Sequence, residues 1–193
     1  RTNAQSRALE ESLRKRNLSY KIYGGISFYQ RKEIKDILAY FRLSINPNDD
    51  EALKRIINYP RRGIGLTTIQ NLNLIANNNN TTIWQIIKNI DKYEININKG
   101  AIKKLEEFGL LINNFIINTY KKEAYIIAEE ILKQTRLLSS LSADTSIEGI
   151  SRLENVQELL NGIKNFCESN ESNKLPDFMQ EVALLTDQDH SPV

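Results

Sequence analysis

The sequence predicts an all-α fold, a multi-helix bundle with a short strand remnant near the N-terminus. Three observations point there. The two longest patterned stretches, Ala101–Lys121 and Glu123–Leu138, space their apolar residues as bundle helices do. The stretch Asn46–Asn80 reads as helix, tight hairpin, helix. The β-like runs are short and lie at the start of the chain, at Arg1–Asn3 and Tyr20–Tyr23.

Taken in order, Arg1–Asn3 look like a strand end. Gln5–Arg16 then have a helical pattern, with Ala8, Leu9 and Leu13 on one face. The run Tyr20–Tyr23 is closed by Gly24 and Gly25, a pair that at its simplest ends a strand in a turn. Ser27 is placed to cap the next helix, with Gln30 three residues on. Phe28, Ile34, Ile37, Leu38 and Phe41 supply that helix's apolar faces, and Arg31, Lys32, Lys35 and Asp36 its polar ones. Asn46-Pro47 ends it.

The next stretch carries the chemistry. Asn48 and Glu51 have capping-box spacing, and Ala52, Leu53, Ile56 and Ile57 recur with helical period. Pro60 stops that helix, because it disfavours helical geometry at Tyr59 and lacks a donor. Gly63 and Gly65 follow on either side of Ile64. Thr67 and Gln70 form a second capping-box pair, and Ile69, Leu72, Leu74 and Ile75 make the next apolar face. Glycines let a backbone approach another molecule closely, and the free N–H groups at a helix start attract anions. Lys54, Arg55, Arg61 and Arg62 flank the turn, a set suited to a nucleic-acid backbone. The alternative is a tight connection in which Ile64 plugs the core. Arg31, Lys32 and Lys35 either extend a cationic surface or form a solvated face.

Downstream, Asn77–Asn80 is a loop and Thr82–Ile90 a helix striped by Ile83, Ile86, Ile87 and Ile90. Trp84, the one tryptophan, is expected in packing, not stacked on a base. Asp91–Gly100 is a polar connection. Leu138–Gly149, rich in Ser, Asp and Thr, is expected to be a loop before a helix capped by Ser151 and Glu154. Cys167 falls at the end of that helix. Leu175–Leu185 reads as the last helix, with a polar exit from Thr186.

Composition narrows the chemistry. The 193 residues carry a formal net charge of only +2, so any nucleic-acid surface must be local. A single cysteine excludes an internal disulfide and a cysteine-based zinc cluster. The one histidine, His190, argues against histidine catalysis. No apolar run is long enough for a membrane span, which makes the cytoplasm the default and leaves no membrane partner. No G-x-x-x-x-G-K-[ST] phosphate loop occurs. Asp49-Asp50-Glu51-Ala52 is not an acidic magnesium motif, since no apolar strand precedes it and acids in a helix's first turn favour the dipole. Neither catalytic residues nor metal ligands are expected here. The chain starts at Arg1, not Met, as an excised segment or processed product would.

Four blocks, in order, resemble the UvrD/PcrA/Rep-like superfamily 1 DNA helicases: Arg1–Leu13, Ile22–Leu43, Asn46–Gly65 and Ser151–Leu160. The middle, Asn77–Ile147, is similar only in helical character. The resemblance implies that residues 1–23 are the edge of the 2A motor domain, 24–187 the 2B accessory domain and 188–193 a return segment towards 2A. It makes the Gly-Ile-Gly hairpin a helix-hairpin-helix element and places Gly24 and Gly25 at the hinge on which 2B swivels. It assigns DNA contact to Arg61, Arg62, Gly63, Ile64, Gly65, Thr67, Lys54 and Arg31. The Arg152-Leu153-Glu154-Asn155 segment is a recurrent family block, taken as support for the 2B fold. The implied parent is an ATP-dependent 3′→5′ helicase that uses ATP and Mg²⁺ on its 1A and 2A motor domains. This segment alone, holding no cofactor, should be inactive. Its expected partners are duplex DNA or a duplex–single-strand junction and those motor domains.

Three roles compete. The first is a sequence-independent grip on duplex phosphates near the fork. The second is a swivelling arm that restrains the motor and mediates partner or self contacts. The third, outside the family, is a free-standing helix-hairpin-helix DNA-binding protein.

Overall fold

A computed structural model describes residues 28–190 together with Ser12. The strand end at Arg1–Asn3, the helix Gln5–Arg16 apart from Ser12, the run Tyr20–Tyr23, the Gly24–Gly25 hinge, the Ser27 cap and residues 191–193 lie outside the described residues. Within them the fold is all-α, with no strand. No described helix is long and apolar enough to cross a membrane.

Everything is built around α1 (Lys32–Ile45), which follows a 3₁₀ turn at Phe28–Gln30. Ten of its fourteen residues are buried, including Ile34, Ile37, Tyr40, Phe41 and Leu43. A helix buried on so many sides must touch several partners. It packs against α2 (Asp50–Ile56), α5 (Lys99–Thr119), α8 (Ile147–Ser169) and α9 (Leu175–His190). Asp36, expected on a polar face, is buried and pairs with Arg55 of α2 at 2.7 Å. Burial holds its carboxyl above the ordinary range, with Arg55 opposing the shift.

Helix α3 (Leu66–Asn78) packs on α4 (Ile83–Lys88), and α4 on α5. Trp84 of α4 is 3% exposed, so it belongs to the core. Helices α6 (Ala124–Gln134), α7 (Leu137–Ser142) and α8 pack against one another, and α6 also meets α5 and α9. One continuous apolar core runs from Phe28 to Val182.

Several expected boundaries shift for identifiable reasons. Asp49, not Asn48, caps α2, accepting from the Ala52 N–H at 2.9 Å. Asn48 instead accepts from the Thr82 hydroxyl, tying the start of α2 to that of α4. The stretch expected as a loop at Leu138–Gly149 is largely helical. Leu137 and Leu141 anchor α7 in the core, and Ser146, five residues ahead of the expected Ser151, caps α8 through the Gly149 N–H. Ser and Thr runs read as loops locally, but two buried leucines override that tendency.

Asn155 of the Arg152–Asn155 segment is buried. Its side chain accepts from Arg31 Nη1 at 2.6 Å and donates to Glu33, which fastens α8 to the start of α1. The half-buried Cys167 contacts the Asn173 carbonyl.

Candidate nucleic-acid interface

Between α2 and α3 the chain turns through Asn58–Gly65, and one side chain organises that turn. Asn58 Oδ1 accepts from both the Arg62 N–H at 2.9 Å and the Ile64 N–H at 3.1 Å. An asparagine that accepts from its own turn is an economical way to fix one. Gly63 has φ +72°, a conformation costly for a residue with a Cβ, and an added Cβ would sit 2.7 Å from Lys104 Nζ. Lys104, from α5, donates to the Gly63 carbonyl at 3.2 Å. Ile64 is fully buried and does plug the core.

Arg62 turns inward. Its Nη1 lies within hydrogen-bond reach of the Ile56, Ile57, Tyr59 and Pro60 carbonyls, at 2.9 to 3.4 Å. Its Nη2 donates to the Tyr40 hydroxyl at 2.5 Å, and the guanidinium lies over the Tyr40 and Phe108 rings. Those carbonyls lie at and just past the C-terminal end of α2, so a cation there meets the negative end of the α2 dipole. The Tyr40 hydroxyl in turn donates to the Tyr59 carbonyl. Burial pushes the Tyr40 phenol up to about 12 despite the opposing Arg62 charge. Arg62 was expected among the phosphate contacts. The fold instead uses it to join α1, α2, α5 and the turn.

The outward side of the turn is different. Arg61 is exposed, and its side chain has no hydrogen bond or ion pair among the described residues. Gly65 has φ −77° and nothing within 4 Å of the position a Cβ would take. Gly65 is the N-cap of α3 and offers no capping side chain. Thr67, expected as the cap, lies inside the first turn and is exposed, so the Thr67–Gln70 capping box does not form. Helices α2, α4, α5 and α8 close their N-termini with Asp49, Thr82, Asn98 and Ser146. The first turn of α3 has neither a side-chain cap nor an acidic residue. Its leading N–H groups, at the positive end of the helix dipole, therefore have no capping side chain, as is also the case for α6 and α7.

The other expected contacts are scattered. Lys54 is exposed on the last turn of α2, whereas Arg55 is held by Asp36. Arg31 is tied to Asn155 and lies over the Phe28 ring, away from the turn in its bonding. Asp49 and Asp50 are not arranged for a metal. Asp49 caps α2 and pairs with Arg42 at 2.7 Å, and Asp50 accepts from the Ile83 N–H. Among the described residues no group of three or more His, Cys, Asp or Glu could hold a metal ion.

Sequence reasoning passed over Asn58, Tyr40, Lys104 and Arg136. Asn58, just ahead of Tyr-Pro and the glycines, carried a local signal as a turn acceptor. The others did not, because they come from distant helices.

A family model described as the UvrD-like helicase C-terminal domain matches residues 1–192. The chain is 42% identical over 189 residues to the ATP-dependent DNA helicase PcrA of Bacillus subtilis, covering 98% of this chain and 25% of that protein. It is 37% identical over 193 residues to PcrA of Staphylococcus epidermidis and 36% to PcrA of Staphylococcus aureus, covering 99% of this chain and 26% of each. It thus spans about a quarter of the length of the curated relatives it matches. An all-α core joined to a match over nearly its whole length leaves one assignment: the chain belongs to the UvrD-like helicase C-terminal domain family.

Proposed function

We propose that this chain is the 2B accessory domain, with an edge of 2A at residues 1–23 and a return segment at 188–193, of an ATP-dependent 3′→5′ DNA helicase. Its role is to hold duplex phosphates near the fork without reading sequence. The observation that carries this is the start of α3, where an uncapped helix with no acid in its first turn follows the open Gly65 and sits beside the unpaired Arg61. A phosphate there would accept from the leading N–H groups at the helix's positive end, with Arg61 and the Thr67 hydroxyl beside it. The α2–turn–α3 unit then acts as a helix-hairpin-helix element. Arg62, Gly63 and Ile64 set its shape, and Lys54 adds charge nearby.

ATP and Mg²⁺ belong to the parent's motor domains. Asp49 and Asp50 are engaged in capping and pairing, and no group of three or more His, Cys, Asp or Glu that could hold a metal ion occurs among the described residues.

The test is fluorescence anisotropy of the chain with a labelled duplex–single-strand junction across a salt series. Two to four phosphate contacts give a log–log slope of about −2 to −4. Arg61→Glu should weaken binding about tenfold at low salt. Undiminished affinity in that variant would refute the phosphate grip.

A swivelling arm that restrains the motor is a compatible second role. It is favoured by apolar side chains standing in solvent on α8, with Ile147 89% and Ile150 51% exposed. Deleting the domain from the parent should then raise unwinding.

A further inference from the structure

Beside the turn lies a cleft of about 350 Å³. It is bounded by Arg61 from the turn, by Lys104, Glu107 and Phe108 from α5, and by Arg136 from the α6–α7 junction. We propose that this cleft is a second phosphate subsite, in which Arg136 and Lys104 hold the duplex backbone next to the phosphate at the start of α3. The proposal rests on the duplex-gripping role above and adds a binding site to it.

The first argument is the disposition of the arginines. Seven lie among the described residues, and five are engaged. Arg31 is held by Asn155, Arg42 by Asp49 and Glu51, and Arg55 by Asp36. Arg62 is held by carbonyls, and Arg152 by Asp144 and Glu148. Arg61 and Arg136 alone, among the described residues, have no side-chain partner, and both are exposed. They are far apart in sequence, yet they border the same cleft. Paired arginines elsewhere on the surface show that this chain supplies carboxylates where an arginine serves the fold.

The second argument is backbone conformation. Arg136 has φ +63°, at the position just after a helix end where glycine is the usual occupant. A long cationic side chain in that conformation costs stability and gains no side-chain hydrogen bond or ion pair among the described residues. Such outliers persist where the side chain has a use.

The third argument is the lining. Arg61, Lys104 and Arg136 face a single carboxylate, Glu107, so the rim carries net positive charge. Phe108 and Leu111 add apolar lining beneath the charged rim. The volume equals roughly twelve waters at about 30 Å³ each, enough for a sugar-phosphate unit with a partial hydration shell.

The experiment is a salt titration of duplex binding by the full chain, using a labelled mixed-sequence duplex, with Arg136→Gly, Arg136→Lys and Arg61→Glu. Glycine suits φ +63°, so Arg136→Gly should melt no lower than wild type, and lost binding would not reflect unfolding. Its low-salt affinity should fall about three- to tenfold, and its log–log slope should become shallower by about 0.9. Arg136→Lys should keep the wild-type slope. Wild-type affinity and slope in Arg136→Gly, with binding lost in Arg61→Glu, would overturn the cleft and leave the hairpin standing. Unchanged binding in both variants, or no binding by wild type at low salt, would overturn the cleft and the grip together.

Discussion

Arg61 and Arg62 are adjacent and chemically identical, and the fold gives them different surroundings. Arg62 is drawn under the chain, where helix-end carbonyls, the Tyr40 hydroxyl and two aromatic rings satisfy it. Arg61 is exposed, with no ion pair among the described residues. The glycines divide in the same way. Gly63 is needed by the protein itself, for its positive φ and its closeness to Lys104, whereas Gly65 has an ordinary φ and open space. One member of each pair builds the turn, and the other is open to solvent. Charge and glycine content alone do not reveal a binding residue, since half of each motif here serves the fold.

The sharpest way to break this contrast is to truncate both arginines. Arg62→Ala should destabilise the domain by about 3–4 kcal/mol, through several lost charge-assisted hydrogen bonds and the buried acceptors left behind. Arg62→Lys should rescue little, because an ammonium cannot reproduce the planar fork. Chemical denaturation of the variants checks both. Equal, small effects of Arg61→Ala and Arg62→Ala would dissolve the distinction.

The buried partner of Arg62 supplies the next effect. Tyr40 is raised from 10 to about 12, mainly by burial. A raised folded value means that stability is fully present below pH 10 and is lost as pH climbs through 12, by about 2–3 kcal/mol. Denaturant melts between pH 9 and 12 should show a step that Tyr40→Phe removes and Arg61→Ala leaves in place.

The glycines give a smaller, opposite pair. Gly63→Ala should cost about 1–2 kcal/mol, from the left-handed backbone and the displaced Lys104. Gly65→Ala should stay within about 0.5 kcal/mol of wild type in stability. It should nonetheless weaken duplex binding a few-fold, because a methyl group would keep a phosphate from the α3 N–H groups. Thermal melts beside anisotropy separate the two effects.

Arg61→Glu completes the series, with stability within about 0.5 kcal/mol of wild type and its effect confined to salt-sensitive binding. A large loss of stability in this variant would place Arg61 in the fold after all.

The sequence by itself determined the helical architecture, because apolar periodicity is a local property written into each segment. Ile37 and Phe41, Ile83, Ile86 and Ile87, and Leu105, Phe108, Ile112 and Phe115 all bury the faces their spacing prescribes. It also determined that the chain turns at Tyr59-Pro60 and Gly63, since proline and glycine restrict or extend the backbone wherever they stand. Cap positions at Asp49, Gly65 and Ser146 were decided in three dimensions. Several Ser, Thr, Asp and Asn residues compete for each helix start, and neighbouring helices choose among them. The helical span at Leu137–Ser142 was decided the same way, by leucines reaching a distant core. Only the tertiary structure separated Arg62 from Arg61 and brought Lys104 and Arg136 to the turn. Whether a cation meets carbonyls, a carboxylate or open solvent depends on residues tens of positions away, and one-dimensional spacing does not encode that encounter.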